Sequence, residues 1–446
     1  MKQDLTAGNV TSSMLRFALP MILGNLLQQC YNIADTLIVG QFVGADALAA
    51  AGSAYTLMTF LNSVLIGLCM GSGALFSFYH GKGDQIALHC RVQTAFVLIG
   101  AVSLALTALV TLLLDPILHL LQTPASLYAL LRGYTALVLL GIPFIFLYNY
   151  FAFLLRAVGN SVAPLWFLGG ASMLNIGLDL LFVLPLGLGL EGAAAATVIA
   201  QGVSGIGLGA YTWLREPAFR FSPAAFRREE KPIKELGSYC AMTCAQQSVM
   251  NFGILMVQGR VNTFGPAVMA AFAAGVKIDT FAYMPAQEFG NAYSLFLSQN
   301  YGAGRHDRVK VGTKRAFEVS AVFCACISLL VWVLARQLMR IFVQPSQLEI
   351  IRIGMEYLRL EGSFYVGIGV LFLLYGYFRG LNRPEISLLL TAVSLGTRVA
   401  LAYALSALPA VGVTGIWLSI PIGWALADIL GLWLMKMRMS TPSPGR

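Results

Sequence analysis

The stretch Tyr31-Asn32-Ile33-Ala34-Asp35-Thr36-Leu37-Ile38-Val39-Gly40 closes an apolar run that begins near Met14. Asp35 is the only carboxylate in that run. A charged side chain at the centre of a bilayer costs at least about 2.5–3.5 kcal/mol, so a chain that keeps one there hides it against protein and water or uses it. Asp35 is therefore either an interface residue at the outer end of a helix or part of an intramembrane site for a cation or a proton.

The rest of the chain is equally apolar. Of the 446 residues, 58% are apolar and 11% are charged, whereas a soluble domain has about 25% charged residues. Apolar segments of about 20 residues recur between short polar breaks, which predicts an all-α polytopic membrane protein that lies in the lipid bilayer. Twelve transmembrane helices are predicted, at about 14–39, 48–78, 93–114, 128–153, 163–184, 191–213, 236–258, 267–298, 316–340, 354–377, 385–406 and 413–435.

The basic residues define a predicted topology. The net charge is +9, and most of the Lys and Arg residues fall in the loops on one side of the predicted spans. The positive-inside rule places that side, with both termini, in the cytoplasm of a protein of the cell membrane. This topology accounts for the excess of basic residues, so nucleic acid is not an expected partner. The first apolar run is too long for a signal peptide and is predicted to be retained as a span.

The two halves of the chain follow one plan. Equivalent residues recur at a spacing of 221 (Gly44 and Gly265, Gly81 and Gly302, Gly83 and Gly304) and then of 223 (Arg156 and Arg379, Gly189 and Gly412, Gly192 and Gly415). Each half holds six predicted spans, so the halves share one membrane orientation and form two pseudo-symmetric six-helix bundles. We predict an N-terminal lobe at 1–213, a charged cytoplasmic linker at 214–235 and a C-terminal lobe with a short tail at 236–446.

Polar side chains form stripes on three spans of the N-terminal half. The pairs are Asn32 and Asp35 on the first span, Asn175 and Asp179 on the fifth, and Thr197 and Gln201 on the sixth. A spacing of three or four residues puts each pair on one helix face. Two carboxylates with amide and hydroxyl oxygens suit a hard cation such as Na⁺. The carboxylates could instead share protons, and interhelical hydrogen bonding without a bound ion is the third interpretation.

The repeat spacing predicts that the C-terminal half lacks this acidic site. The equivalents of Asp35, Asn175, Asp179 and Thr197 are Met256, Arg398, Ala402 and Ile420. The C-terminal half would therefore carry a fixed cation near the place where the N-terminal half carries carboxylates. We expect cation binding to belong to the N-terminal half alone.

Other charges in the C-terminal half are further candidates for a cavity lining. Lys277, Asp279 and Glu288 fall in the eighth predicted span, and Arg398 falls in the eleventh. An unpaired ammonium in a membrane is costly, so Lys277 is predicted to have an acidic partner. Asp279 is two residues away, a poor helical spacing for a pair, so Glu288 or Asp428 is the expected partner; a structural ion pair and a role in the cavity both stay open.

Pro20 lies inside the first predicted span. A proline in a helix removes one backbone hydrogen bond and kinks the helix. The kink is a candidate hinge for a conformational change, or a static bend of the kind common in membrane helices.

The sequence lacks the motifs of several other classes. It has no G-x-x-x-x-G-K-[ST] loop for ATP hydrolysis. No Ser/His/Asp or H-E-x-x-H arrangement is present, and the four histidines fall in or near loops. An intramembrane enzyme such as an acyltransferase is therefore not expected, and neither is a bound cofactor. A receptor that transports nothing is a further alternative, and the duplicated lobes argue against it.

These residues resemble the multidrug and toxic compound extrusion (MATE) antiporters. The resemblance rests on two parallel six-span bundles, on Tyr31-Asn32-Ile33-Ala34-Asp35 with Gly40, and on Gly81 and Gly83 after the second span. Arg156-Ala-Val-Gly-Asn160 after the fourth span, Asn175 with Asp179, and Thr197 complete it.

The resemblance implies a V-shaped pair of lobes around a central cavity, and a monomer is expected. It implies efflux of small lipophilic, often cationic compounds in exchange for H⁺ or Na⁺ by alternating access. Asp35, Asn175, Asp179 and Thr197 would form the cation site, Na⁺ included, with Asn32 and Gln201 as further candidates. Some members use an acidic residue in the seventh span, where this chain has Gln246 and Gln247. The alternative is a flippase of lipid-linked precursors or other amphiphiles from the related superfamily.

Overall fold

The described part of the chain folds into a succession of helices. The structure, a computed structural model, describes residues 2–120, 123–220 and 232–440. These three ranges contain no β-strand, so the predicted all-α class is confirmed. The centre of the predicted linker, 221–231, and the tail at 441–446 lie outside the described residues.

The N-terminal half contains eight α-helices within its described residues. They are α1 (Val10–Ile38), α2 (Ala45–Lys82), α3 (Gln85–Leu112), α4 (Leu114–Leu120), α5 (Ala125–Leu139), α6 (Ile142–Ala157), α7 (Val162–Val183) and α8 (Gly189–Arg215). A π-helical turn, Val39–Val43, extends α1 directly. The predicted fourth span is thus two helices, α5 and α6, in succession.

The C-terminal half repeats the arrangement with seven α-helices in its described part. They are α9 (Pro232–Asn262), α10 (Pro266–Gly302), α11 (His306–Phe342), α12 (Leu348–Gly362), α13 (Tyr365–Gly380), α14 (Pro384–Ser406) and α15 (Thr414–Ser440). The predicted tenth span is again a pair, α12 and α13, and the pair is bent by 52°.

Ten segments of the described chain are long and apolar enough to cross a membrane, or eleven if α12 and α13 form one span. The protein is therefore a multi-pass membrane protein. The predicted span that is not apolar enough by this criterion is α9. It has 31 residues but carries Gln246, Gln247 and Asn251 in its central turns. Its composition alone does not mark it as a span, so the count of twelve stays a prediction.

The backbone confirms the internal repeat. Positive φ angles recur at four equivalent pairs: Gly44 (120°) and Gly265 (93°), Gly83 (75°) and Gly304 (69°), Gly159 (87°) and Asn382 (59°), and Gly189 (57°) and Gly412 (53°). Side chains other than glycine rarely adopt this region. The same turns therefore recur at the spacings of 221 and 223 that the sequence predicts.

The chain packs as two compact units, whose limits fall inside helices. The first unit comprises Met1–Leu5 and Leu19–Cys244, and the second comprises Thr6–Ala18 and Ala245–Arg446. The first turns of α1 thus pack with the second unit, and the first turns of α9 pack with the first unit. The lobe boundaries predicted from hydropathy, with their linker at 214–235, stay a prediction.

Two glycines bring α2 close to the first part of α9. Gly67 and Gly71 are four residues apart and share one face of α2. A Cβ at Gly67 would lie 2.6 Å from the Cα of Cys244, and a Cβ at Gly71 would collide with the Thr243 side chain. Small residues at this spacing let helix backbones approach closely in membranes, so the pair fixes the start of α9 in the first unit.

A charged network holds the same turn of α9. The Arg91 guanidinium on α3 donates from Nη2 (2.7 Å) and Nε (3.0 Å) to the Glu235 carboxylate. Its carbon lies 3.8 Å from the centre of the Tyr79 ring, and the Tyr79 hydroxyl donates to the same carboxylate. Arg91 is buried, so this network joins α2, α3 and α9 in one part of the first unit.

Candidate functional site

The predicted coupling residues lie on α1, α7 and α8 of the first unit. Asp35 is near the end of α1, Asn175 and Asp179 are on α7, and Thr197 is on α8. The Asn175 amide donates to the Thr197 hydroxyl at 3.5 Å, and that hydroxyl donates to the backbone oxygen of Ala193 at 3.1 Å. The structure therefore brings the fifth- and sixth-span residues of the prediction into direct contact.

The buried face of α7 explains why its two polar residues point inward. Ala171, Asn175, Asp179 and Val183 recur every four residues and are all buried. Asn175 is 2% exposed and Asp179 is 0% exposed, although both side chains are polar. Asp35 and Thr197 are half-buried. A helix that buries a carboxylate completely in this way carries a cost that packing alone does not offset.

The two carboxylates, Asp35 and Asp179, are close enough to interact electrostatically. Both carboxylates also interact electrostatically with Tyr31 of α1 and with Tyr134 of α5. The Oδ1 atom of Asp35 is buried and has no hydrogen-bond partner among the described residues. Two carboxylates that repel each other in apolar surroundings favour the uptake of a proton or a cation.

A small pocket lies beside the carboxylates. Its volume is about 40 Å³, and its lining consists of Tyr31, Leu168, Ala171, Ser172, Asn175, Thr197, Ala200, Gln201 and Ser204. A water needs about 10–15 Å³ by the same measure, so the pocket has room for an ion with a few waters. Sites for drug-sized ligands are far larger, roughly 300–1,000 Å³. Asp35 and Asp179 are outside the lining, each one helical turn from a residue within it.

The two further candidates in this half differ. Gln201 lines the pocket, and its Oε1 is buried without a hydrogen-bond partner in the described chain. Asn32 is half-buried on α1 and is absent from the lining, and its backbone oxygen accepts from Thr36. The geometry thus joins Gln201 to the cluster and does not join Asn32.

Sequence reasoning missed four residues of this region: Tyr31, Tyr134, Ser172 and Ser204. Ser172 and Ser204 lie one turn from Asn175 and Gln201, so the same helical spacing could have found them. Tyr134 comes from a helix without a polar stripe. Its only signal is the repeat, because the residue 223 positions later is Tyr357, which also faces carboxylates.

The second unit has a buried acidic pair of its own, at positions that are not equivalent to Asp35 and Asp179. Asp279 on α10 is 1% exposed and Glu361 on α12 is 3% exposed, and they lie close together. The Tyr365 hydroxyl donates to the Asp279 carboxylate. Neither acid is equivalent to Asp35 or Asp179 in the repeat, so the comparison of equivalent positions could not reveal the pair. Arg398 lies within electrostatic range of both carboxylates.

The prediction of an acidic partner for Lys277 is wrong. Lys277 is exposed, its Nζ lies 5.9 Å from the centre of the Phe342 ring, and it forms no ion pair with any described residue. A long side chain satisfies its charge by reaching toward an aromatic ring. Glu288 is half-buried and accepts from the Asn291 amide at 3.2 Å, and Asp428 is buried elsewhere in the unit.

Pro20 lies inside α1, which continues through it to Ile38. The chain passes from the second unit to the first between Ala18 and Leu19, one residue before the proline. A hinge at Pro20 stays a prediction, at a position where the helix changes the unit with which it packs.

The fold and these buried polar groups define a multi-pass membrane protein with two repeated halves. The profile of the family described as MatE matches residues 20–181 and 240–404, well over half of the chain. The chain therefore belongs to the MatE family of multidrug efflux transporters, as the sequence motifs indicated.

Relatives and a solved structure agree with this membership. A probable multidrug resistance protein of Bacillus subtilis, YpnP, is 32% identical over 393 residues, which are 88% of this chain and 87% of that protein. An FAD transporter of Shewanella oneidensis is 24% identical over 450 residues, covering 98% and 96%. The outward-facing structure of a multidrug resistance MATE transporter gives a TM-score of 0.91 at 23% identity, covering 98% and 97%, and shows the same fold.

Proposed function

We propose that this chain exports small lipophilic, cationic compounds across the cell membrane in exchange for inward H⁺ or Na⁺, as a monomer in the lipid bilayer with both termini in the cytoplasm. The observation that carries the proposal is the electrostatically interacting pair Asp35 and Asp179 in the first unit, of which Asp179 is completely buried. Membership of a family of efflux transporters supports the direction and the class of cargo.

The coupling ion binds at Asp35 and Asp179, with Asn175 and Thr197 as oxygen donors. Without an ion, the pair carries up to two negative charges in apolar surroundings, which is unfavourable. One proton, or one Na⁺ with the amide and hydroxyl oxygens, removes much of that repulsion. The pocket volume of about 40 Å³ suits an ion and waters, so the cargo binds elsewhere.

Binding of the ion changes the conformation of the first unit. Loss of the negative charge removes the repulsion that holds α1 and α7 in their ion-free arrangement. We expect α1 to bend at Pro20, where a backbone hydrogen bond is already absent. The ion-loaded form then has a lower affinity for cationic cargo, and the ion-free form a higher one, which is the differential binding that exchange requires.

The test is efflux from proteoliposomes that contain the purified full chain and ethidium. A pH gradient and a Na⁺ gradient are imposed separately at the same membrane potential. We expect one gradient to drive efflux, and we expect Asp35→Asn and Asp179→Asn to abolish that stimulation. Asp428→Asn is the matched control, because it removes a buried carboxylate of the second unit. Equal efflux with both gradients collapsed would overturn the proposal.

The alternative cargo is an amphiphile such as a lipid-linked precursor. No described feature of the chain favours it. The Shewanella relative is named for FAD, an anionic compound, so FAD and a fluorescent anionic lipid are included as competing cargoes. Transport of either one without ion-driven ethidium efflux would favour the alternative.

A further inference from the structure

The second unit holds a second buried acidic pair that the proposed transport cycle does not use. Asp279 and Glu361 come from α10 and α12, and both are almost fully buried. Tyr365 donates to Asp279, and Tyr357 faces both carboxylates. Tyr357 in turn packs edge-on against Trp417, with ring centres 4.8 Å apart. The pair is therefore enclosed by aromatic side chains.

One cation of the described chain faces this pair, and it is Arg398 of α14. Lys277 is only two residues from Asp279, but it is exposed and reaches to Phe342. Arg398 makes no direct ion pair among the described residues. Its Nε and one oxygen of each carboxylate are buried without a hydrogen-bond partner. Arg398 thus interacts electrostatically with both carboxyl groups in apolar surroundings, where such forces are strong.

The repeat places this cluster at the counterpart of the first-unit site. Tyr357 is equivalent to Tyr134, and Arg398 is equivalent to Asn175, each at a spacing of 223. Both tyrosines face a pair of carboxylates. At the place where the first unit offers an amide oxygen to an ion, the second unit carries a guanidinium.

We infer that Arg398 is the fixed counter-cation of Asp279 and Glu361, so that the second unit holds its own cation where the first unit takes one from solution. Arg398 balances one negative charge, so the pair needs no metal cation when one of its two carboxyl groups holds a proton. The contrast with the first unit rests on the proposed function, whereas the role of Arg398 in the second unit does not.

The test is cation rescue of the purified full chain in detergent. The Tm is measured by intrinsic fluorescence with and without methylguanidinium, at constant ionic strength set with choline. Arg398→Ala should lower the Tm, and methylguanidinium should restore a large part of the loss while leaving the wild-type Tm unchanged. Arg398→Lys keeps the charge and should lose less than Arg398→Ala. Arg359→Ala is the matched control, because that exposed arginine lies over Trp332 and its loss should not be rescued.

The double variant Arg398→Ala with Glu361→Gln decides the case if Arg398→Ala does not fold. Removal of one carboxylate with the cation should give a more stable protein than removal of the cation alone. Additive losses in the double variant, or a methylguanidinium effect equal in Arg398→Ala and the wild type, would overturn the inference. The inference would also be overturned if neither Arg398→Ala nor the double variant folds while Glu361→Gln alone folds.

Discussion

Gly67→Ala should destabilise the contact of α2 with α9, although alanine is the better helix former. An added Cβ would lie 2.6 Å from the Cα of Cys244, 2.9 Å from the oxygen of Thr243 and 3.0 Å from the nitrogen of Cys244. Carbon atoms in contact prefer about 3.5–4.0 Å, so α9 must retreat by roughly 1 Å. All three atoms belong to the backbone, so no side chain can rotate away.

The magnitude follows from two opposed terms. Overpacking costs about 1–3 kcal/mol, whereas replacing glycine by alanine inside a helix gains about 1 kcal/mol. Since a rigid backbone places the overpacking cost near its upper end, we expect a net loss of about 1–2 kcal/mol. For a unit of this size the loss corresponds to a fall in Tm of about 2–8 °C.

The assay is thermal unfolding of the purified protein in detergent, with Gly52→Ala as the control. Gly52 is on the same helix, is exposed and has nothing within 4 Å of its added Cβ. Gly52→Ala should leave the Tm unchanged or raise it slightly. A Gly67→Ala protein at least as stable as Gly52→Ala would refute the close approach of α2 and α9.

Two further predictions concern charges outside the candidate site. Arg91→Ala and Glu235→Gln should show non-additive losses of stability, with a coupling of about 1 kcal/mol in a double-mutant cycle because the pair is hydrogen-bonded twice and Arg91 is buried; additive losses would contradict the network. Hydrogen bonds from Arg132 and Tyr128 lower the pKa of Asp115 below its usual value, so Asp115 stabilises the folded protein above about pH 4 and less as the pH falls through the lowered pKa. The Tm of Asp115→Asn should therefore lie below the wild-type Tm at neutral pH and approach it as the pH falls below the lowered pKa. A difference in Tm that stays constant with pH would contradict the role given to Asp115.

Much of the fold follows from the sequence because its signals are local. Apolar runs of about 20 residues mark the helices, and glycines at fixed spacing mark the repeated turns, which the structure confirms in Gly83 and Gly304. The inward face of α7 is also predictable, since Asn175 and Asp179 are one turn apart. In each case neighbours along the chain carry the information.

The remaining features depend on contacts between distant residues. Glu361 is close to Arg359 in the sequence and resembles an interfacial charge, yet it is buried beside Asp279 of α10. Lys277 satisfies its charge with an aromatic ring of α11, and sequence spacing cannot indicate such a partner. The sequence also predicts a span at 236–258 but not which unit the first turns of α9 pack with, because that depends on Gly67 and Gly71 of another helix.

The most direct test of ion coupling in the first unit is ion movement driven by the cargo. Proteoliposomes with the purified chain and an entrapped pH- or Na⁺-sensitive dye receive an outwardly or inwardly directed ethidium gradient with no imposed ion gradient. The wild type should move H⁺ or Na⁺ against the direction of ethidium, Asp428→Asn should do the same, and Asp179→Asn should match protein-free liposomes. Ion movement in Asp179→Asn equal to the wild type, or none in the wild type while ethidium still crosses, would contradict the central claim.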